Sequence, residues 1–168
     1  MPNPLQPEEL LATLARHGVD YVLIGGLAAT LHGSSALTND ADVCPDPHPA
    51  NLERLATALR AMDARIRTDA EAQGLPFACD AEFFRRVRLV NLTTRFGDFD
   101  VSFEPAASEG YDDLVTRAVT YDVGGVAVRT AALADIIRSK EMANRPKDHA
   151  TLPILRALQD EIAKRDES

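Results

Sequence analysis

Gly25-Gly26 and Asp40-Ala41-Asp42, separated by thirteen residues, form the most informative stretch of the sequence. The apolar run at 21–24 directly precedes the glycines and predicts a short buried strand. Asp40 and Asp42 occupy alternate positions of a second short strand, so both carboxylates project from one face of it. Two carboxylates this close repel each other unless a cation lies between them. The stretch therefore predicts a cation site on the face of a sheet.

A third carboxylate comes from a later segment, Asp98-Phe99-Asp100, in which polar and apolar residues alternate. Asp100 on a neighbouring strand would complete a set of three with Asp40 and Asp42. Carboxylate oxygens are the ligands that Mg²⁺ prefers. Three carboxylates can hold two such ions, which activate an attacking hydroxyl and stabilise the leaving oxygen of an in-line displacement. We therefore predict that the three aspartates converge on one cleft.

The glycine pair predicts a phosphate site beside these carboxylates. Gly25 and Gly26 lie between the predicted strand and a predicted helix, and they lack the Cβ atoms that would keep a phosphate from the backbone. A helix that begins there would offer unpaired N–H groups to an anion. Lys140, with Arg145 and Lys147 close in sequence, is the best candidate for neutralising phosphate charge.

Each of these features also has a simpler structural explanation. A Gly-Gly pair after a strand is commonly a turn, and an Asp-x-Asp segment beside prolines is commonly a solvated loop. Asp98 and Asp100 could form the wet face of an edge strand, and Lys140 could be a solvated helix charge. Their occurrence together, in this order and spacing, favours the site.

The rest of the chain mixes strands and helices and predicts an α+β or α/β protein, without the regular βαβ alternation of a doubly wound sheet. The predicted strands cover residues 21–24, 41–44, 86–93, 98–103, 119–123 and 126–129, the last two joined by the hairpin turn Gly124-Gly125. The predicted helices cover residues 7–17, 27–32, 49–62, 109–118, 131–145 and a last segment capped by Thr151 and Pro153. Pro146 is predicted to end the helix that precedes it.

The composition indicates one domain over residues 1–168 and an acidic surface. The net charge is −8 and the pI is about 4.9, whereas proteins that grip nucleic-acid phosphates are usually basic. The densest basic run is Arg85, Arg86 and Arg88. It is either a solvated strand edge or a patch that binds the acceptor of a reaction.

The sequence also predicts a cytoplasmic protein. Cys44 and Cys79 lack the spacing of a zinc site and are expected to be free thiols in a reducing compartment. The amino terminus has no charged and apolar regions of a signal peptide. No apolar run approaches the roughly 18 residues that a membrane span needs.

Two segments resemble the motifs of polymerase-β-like nucleotidyltransferases. The first is Gly25-Gly26-Leu27-Ala28-Ala29-Thr30-Leu31-His32-Gly33 followed by Thr38-Asn39-Asp40-Ala41-Asp42-Val43. The second is Ile136-Ile137-Arg138-Ser139-Lys140-Glu141-Met142-Ala143-Asn144-Arg145-Pro146-Lys147-Asp148, which is similar to a motif of the AbiEii-type branch known from abortive-infection and toxin–antitoxin systems. The resemblance runs from about residue 18 to residue 160.

The resemblance implies a mixed sheet flanked by helices, a two-Mg²⁺ site and an NTP substrate. It makes Asp40, Asp42 and Asp100 the metal ligands, and Lys140 a phosphate or catalytic contact. The nucleotide-binding positions that it implies are Gly25, Gly26, Thr38 and Lys140. Asp148 matches an acidic position of the second motif and would otherwise be a favourable charge in the first turn of a helix.

The chain departs from the family pattern at two positions. Ala36 stands where many relatives have an arginine, and Ala41 stands where the residue between the two aspartates is usually a bulky aliphatic. It is also shorter than the relatives that carry a further helical domain for RNA or other acceptors.

The leading functional hypothesis is transfer of a nucleoside monophosphate to a macromolecule, either an RNA 3′ end or a partner protein, in a toxin–antitoxin or defence system. One alternative is a non-catalytic nucleotide-binding or antitoxin module, which would have no need to hold three like charges together. Another is an enzyme that modifies a small molecule, as aminoglycoside nucleotidyltransferases do, since an acidic surface suits a cationic antibiotic.

Overall fold

Residues 3–167 are described by a computed structural model, and within them seven strands form one mixed sheet in the order β3-β4-β5-β2-β1-β7-β6. The strands are β1 (Tyr21–Ile24), β2 (Asp40–Pro45), β3 (Arg65–Ile66), β4 (Leu89–Thr94), β5 (Gly97–Ser102), β6 (Val119–Val123) and β7 (Val126–Thr130). The helices are α1 (Pro7–Arg16), α2 (Gly25–Leu31), α3 (Pro49–Ala61), α4 (Ala81–Arg86), α5 (Tyr111–Leu114), α6 (Leu133–Ala143) and α7 (Pro146–Asp166).

The strand pairing confirms the predicted α+β class. Strand β2 pairs parallel with β5, and β1 pairs parallel with β7. The other neighbours, β1–β2, β3–β4, β4–β5 and β6–β7, pair antiparallel. The predicted hairpin is present as β6–β7, and Gly124 and Gly125 both have the positive φ that its turn requires.

The two faces of the central strands have opposite characters, because successive side chains of a strand point to opposite sides. Ala41 and Val43 of β2, with Phe99 and Val101 of β5, are at most 1% exposed. Helix α1 and helix α3 add fully buried leucines to the same core: Leu10, Leu11, Leu14, Leu52, Leu55 and Leu59. The aspartates of β2 and β5 therefore lie on the sheet face away from these buried side chains.

The boundary between α6 and α7 differs from the prediction. Helix α6 ends at Ala143, and Asn144 adopts the left-handed conformation with a φ of 51°. Pro146 begins α7 rather than ending α6, because proline fits the first helical position, where its missing N–H is not needed. The predicted cap near Thr151 is wrong, since Pro153 lies inside α7.

Helix α4 was not predicted and replaces the start of a predicted strand. The side chain of Asp80 accepts a hydrogen bond of 2.8 Å from the backbone N–H of Phe83 and caps the helix. The strand predicted from residue 86 begins at Leu89 instead. Met142, predicted on the apolar face of α6, is 67% exposed because it lies in the last turn of that helix.

Both cysteines are free thiols, as predicted. Burial raises the pKa of the Cys44 thiol to about 12 and that of Cys79 to about 11. Neither is therefore a reactive thiolate at neutral pH. Among residues 3–167, no helix is both long and apolar enough to cross a membrane.

Candidate active site

The three predicted aspartates converge. Strands β2 and β5 run parallel with Asp40 opposite Asp98 and Asp42 opposite Asp100. Asp40, Asp42 and Asp100 each offer a carboxylate oxygen, and these three atoms all lie within 4.8 Å of one another. The parallel register explains the convergence, because it aligns the alternating aspartates of both strands on one sheet face.

The electrostatics of this acidic triad (Asp40, Asp42 and Asp100) favour a bound cation. Burial, and then the charge of Asp40, raises the pKa of the Asp42 carboxyl. Burial, and then the charge of Asp42, raises the pKa of Asp100. Like charges held together in a partly dry site are unfavourable in the absence of a cation. A hard divalent ion such as Mg²⁺ accepts oxygen ligands of this kind, so the donor set fits the predicted metal.

The glycine pair packs directly against this triad. Gly25 has a φ of +71°, and a Cβ added there would lie 2.3 Å from Oδ2 of Asp42. A Cβ on Gly26 would lie 2.8 Å from the hydroxyl oxygen of Thr38. That hydroxyl donates a 3.1 Å hydrogen bond to the backbone carbonyl of Asp40. A side chain at either glycine would therefore displace a neighbour in the site.

The glycines differ from their predicted placement in one respect. They are the first two residues of α2 rather than a turn before it, and α2 has only seven residues. Their clearest structural role is to give space to Asp42 and Thr38. This close packing brings the start of α2 to the triad, where both glycines are partly exposed.

Lys140 is not a solvated helix charge. Its side chain is only 12% exposed, and its Nζ lies 3.5 Å from Oδ1 of Asp148. Asp148 is fully buried and also accepts a 2.8 Å hydrogen bond from Nε of Arg145. Lys147 and Lys140 both lower the pKa of Asp42, which places their charges near the triad. The end of α6 and the start of α7 thus bring a basic group (Lys140, Arg145 and Lys147) close to the acidic one.

Asp148 organises this basic group. Its carboxylate accepts hydrogen bonds from the backbone N–H and the guanidinium of Arg145, and these outweigh burial and lower its pKa. The contacts form a reciprocal cap at the start of α7. The predicted position of Asp148 in the first turn of a helix is confirmed, and the same side chain also forms the ion pair with Lys140.

Arg67 is a site residue that the sequence did not reveal. Its Nη2 donates a 2.9 Å hydrogen bond to Oδ1 of Asp100, and its Nη1 lies 3.4 Å from Oδ2 of Asp98. It directly follows β3, which has only two residues and no clear sequence pattern. A short strand and a partner 33 residues away leave no local signal by which to find it.

Each arginine of the basic run lies beside a glutamate. Arg85 and Arg86 lie on α4, where both pair with Glu82. Arg88 lies 3.5 Å from Glu104. The interpretation of this run as a strand edge is wrong for the first two residues, because α4 continues to Arg86. Two glutamates thus offset part of the positive charge of the three arginines, which a phosphate backbone would need.

Solved structures of nucleotidyltransferases share this fold. LnuA, a lincosamide antibiotic adenylyltransferase with lincomycin bound, matches with a TM-score of 0.62 and 12% identity, covering 93% of this chain and 99% of that one. A Thermotoga maritima protein provisionally assigned as a nucleotidyltransferase matches with a TM-score of 0.53 and 13% identity, covering 95% and 97%. The antibiotic-resistance factor ANT(2″)-Ia also matches with a TM-score of 0.53 and 13% identity, covering 95% and 90%.

No protein-family model matches the sequence, and no curated protein resembles it significantly. At identities of 12–13% the structural likeness establishes the fold and not the reaction. The AbiEii-type branch stays a prediction. The chain therefore has the mixed α+β fold that these nucleotidyltransferases share, with an acidic triad and a basic group close together on it.

Proposed function

We propose that this protein transfers a nucleoside monophosphate from an NTP to an acceptor in a Mg²⁺-dependent reaction. The observation that carries the proposal is the convergence of three carboxylate oxygens within 4.8 Å on the central strands of a nucleotidyltransferase fold. The raised pKa values of Asp42 and Asp100 support a bound cation, which would relieve the repulsion between the carboxylates. A protein that bound nucleotide without Mg²⁺ would gain nothing from this repulsion.

The metal would be held by Asp40, Asp42 and Asp100, and we propose two ions. When bound, Mg²⁺ supplies activation of the attacking group and stabilisation of the leaving pyrophosphate. The chain's own part is to keep the three carboxylates fixed on two paired strands, so that little reorganisation is needed during the reaction.

The triphosphate would lie between the start of α2 and the start of α7. Gly25 and Gly26 leave the backbone accessible there, and the Thr38 hydroxyl lies beside them. Lys140 forms an ion pair with Asp148 and is not a freely moving, solvent-exposed side chain. A cation fixed in advance stabilises charge that develops on a leaving group better than a mobile one.

A small cationic molecule is the acceptor that the observations favour. LnuA is a lincosamide adenylyltransferase, and another structure of ANT(2″)-Ia holds adenylyl-2″-tobramycin, so two proteins of this fold act on small antibiotics. The chain covers 99% and 94% of those two proteins, respectively. A net charge of −8 attracts cations such as aminoglycosides and repels polynucleotides.

The macromolecular acceptor has less support. An RNA 3′ end would require a basic surface, and Arg85, Arg86 and Arg88 are each paired with a glutamate. A partner protein in a toxin–antitoxin system stays a prediction, because the structure and the comparisons do not bear on it.

Mass spectrometry after incubation with labelled NTPs and Mg²⁺ tests the proposal. The acceptor panel should contain lincosamides, aminoglycosides, RNA and candidate partner proteins, with Asp42→Asn as the inactive control. We expect a mass increase of one nucleoside monophosphate on a small amine-bearing acceptor, made by the wild type only. Labelled RNA or protein would reassign the acceptor, and no transfer to any acceptor with all four NTPs would contradict the proposed activity.

A further inference from the structure

Arg67 links the third carboxylate to a fourth one. Asp98 lies two residues before Asp100 on β5, opposite Asp40 of β2, so the acidic triad and Asp98 occupy four adjacent positions on one face. The guanidinium of Arg67 spans Asp98 and Asp100 with its two terminal nitrogens, at 3.4 Å and 2.9 Å. Among the described residues, no other arginine or lysine forms an ion pair with these four aspartates.

The backbone fixes where Arg67 lies. Its N–H donates a 3.0 Å hydrogen bond to the carbonyl of Asn91 on β4. Its Nη1 also donates a 3.3 Å hydrogen bond to the carbonyl of Leu92. Because β4 pairs with β5, the strand that carries Asp98 and Asp100, the arginine is held in register with its partners.

The two carboxylate oxygens of Asp98 have different surroundings. Oδ1 of Asp98 is buried and has no hydrogen-bond partner within residues 3–167. Oδ2 of the same carboxylate faces Arg67. An arginine fork is the side chain suited to contacting two carboxylates at once, since its nitrogens lie in one plane at fixed spacing.

We propose that Arg67 is a positioning residue with two separable effects on the metal site. By binding Oδ1 of Asp100 it fixes the orientation in which this carboxylate presents its other oxygen to a cation. By its positive charge it weakens the attraction of the four carboxylates for divalent ions when no nucleotide is bound. The proposal rests on the proposed function, since it takes the acidic triad to be the metal site.

The two effects predict opposite responses to one substitution. Removing the charge increases the attraction for a divalent ion, because a positive charge near the site repels it. Removing the fork loosens Asp100 and slows the reaction, because catalytic carboxylates act through a fixed geometry. An arginine that only stabilised the fold would change the melting temperature without tightening metal binding.

The test is Mn²⁺ affinity without nucleotide, measured by electron paramagnetic resonance, for the wild type, Arg67→Gln and Arg67→Lys. Asp42→Asn identifies binding outside the triad. We expect Arg67→Gln to bind Mn²⁺ about five-fold tighter, since one repulsive charge is lost. Arg67→Lys keeps the charge, so its Mn²⁺ affinity should stay within about two-fold of the wild type. Both variants should transfer at least about ten-fold more slowly.

Unchanged or weaker Mn²⁺ binding by Arg67→Gln overturns the proposal, as does wild-type transfer by Arg67→Lys. If the glutamine variant does not fold, the lysine variant decides: near-wild-type Mn²⁺ affinity with slow transfer supports the role, and any other combination overturns it. A wild type that binds Mn²⁺ at the triad but transfers to no acceptor contradicts the proposed function. In that event the order of Mn²⁺ affinities still decides the role of Arg67.

Discussion

Both ends of the β1–β2 pair carry aspartates, but the surroundings of these aspartates are opposite in character. At one end, Asp20 and Asp46 immediately flank the paired strands. At the other end, Asp42 lies opposite Ile24 and contributes to the acidic triad. The same residue type thus occupies two ends of one strand pair, which makes the environments directly comparable.

At the Asp20 end, each aspartate has a partner. Asp46 accepts hydrogen bonds from His48, which outweigh burial and lower its pKa, and Arg54 lies 3.7 Å from Asp20. The buried Asn51 side chain joins both segments by bonding the backbone of Asp20 and Asp46. This end is arranged for stability.

At the triad end, burial and neighbouring charges raise the pKa of both Asp42 and Asp100. Arg67 offsets part of this charge and does not remove the shift. Aspartates indicate a functional site when the fold holds them together without enough positive charge nearby to cancel their repulsion. Acidity alone does not make that distinction.

The largest expected effect is on the transfer rate, when one aspartate is neutralised at the triad end rather than at the Asp20 end. We expect Asp42→Asn to reduce transfer by about 10³-fold or more, roughly 4 kcal/mol of transition-state stabilisation, because a metal ligand is lost. Asp46→Asn is the matched control, because it makes the same substitution just after the other end of β2. It should transfer at nearly the wild-type rate. Steady-state transfer rates of both variants check this, and equal losses would remove the contrast between the ends.

Lys140 should give the next largest effect. We expect Lys140→Ala to slow transfer by about 10²-fold, on the order of 3 kcal/mol of barrier, because a fixed cation beside the triphosphate is lost. Lys140→Arg should recover only part of the rate, since a guanidinium has a different shape. Lys164→Ala, an exposed lysine on α7, is the control, and a silent Lys140→Ala would exclude this residue from the site.

The glycine beside Asp42 should be sensitive for steric reasons. We expect Gly25→Ala to slow transfer by about 30-fold, because the new Cβ would displace the Asp42 carboxylate and small misplacements of catalytic groups are costly. Gly125→Ala has a similarly positive φ but meets nothing within 4 Å, so it isolates backbone strain. Parallel rates and melting curves of the two variants separate collision from strain, and equal rates would argue against close packing at Gly25.

The smallest expected effect concerns stability at the Asp20 end. Asn51 is fully buried and makes three hydrogen bonds to the backbone of Asp20 and Asp46. We expect Asn51→Ala to lower the free energy of unfolding by about 2 kcal/mol, because buried backbone groups lose their partners. Urea denaturation measures it, with the exposed Gln159→Ala as the control. A loss no greater than that of the control would mean that this end is not held by Asn51.

The sequence predicted the triad because its signal is local within each strand. Alternation places Asp40 with Asp42 and puts Asp100 on the face opposite Phe99, and parallel pairing then brings the strands together. The hairpin and most helices followed from similar short-range patterns, whereas the mixed sheet was implied by the family resemblance. The site role of Lys140 stays a prediction, and its pairing with Asp148 was not foreseen, because Asp148 was interpreted as a motif position or a first-turn helix charge.

The sequence did not predict features that depend on distant partners. Arg67 takes its role from Asp98 and Asp100, which lie more than 30 residues away on another strand. The start of α7 was misplaced because Pro146 suits either the end of one helix or the start of the next. Asp148 and Arg145, which decide between these alternatives, act through a cap that only the structure displays.

The most direct test of the metal site is a set of melting curves for the wild type and Asp42→Asn, each in EDTA and in Mg²⁺ with NTP. Without metal, Asp42→Asn should melt above the wild type, because one of three repelling carboxylates has become neutral. With Mg²⁺ and NTP the order should reverse, because ligand binding stabilises only the intact site. If the wild type melts higher in EDTA and both proteins respond equally to Mg²⁺ and NTP, the triad is structural and the account is wrong.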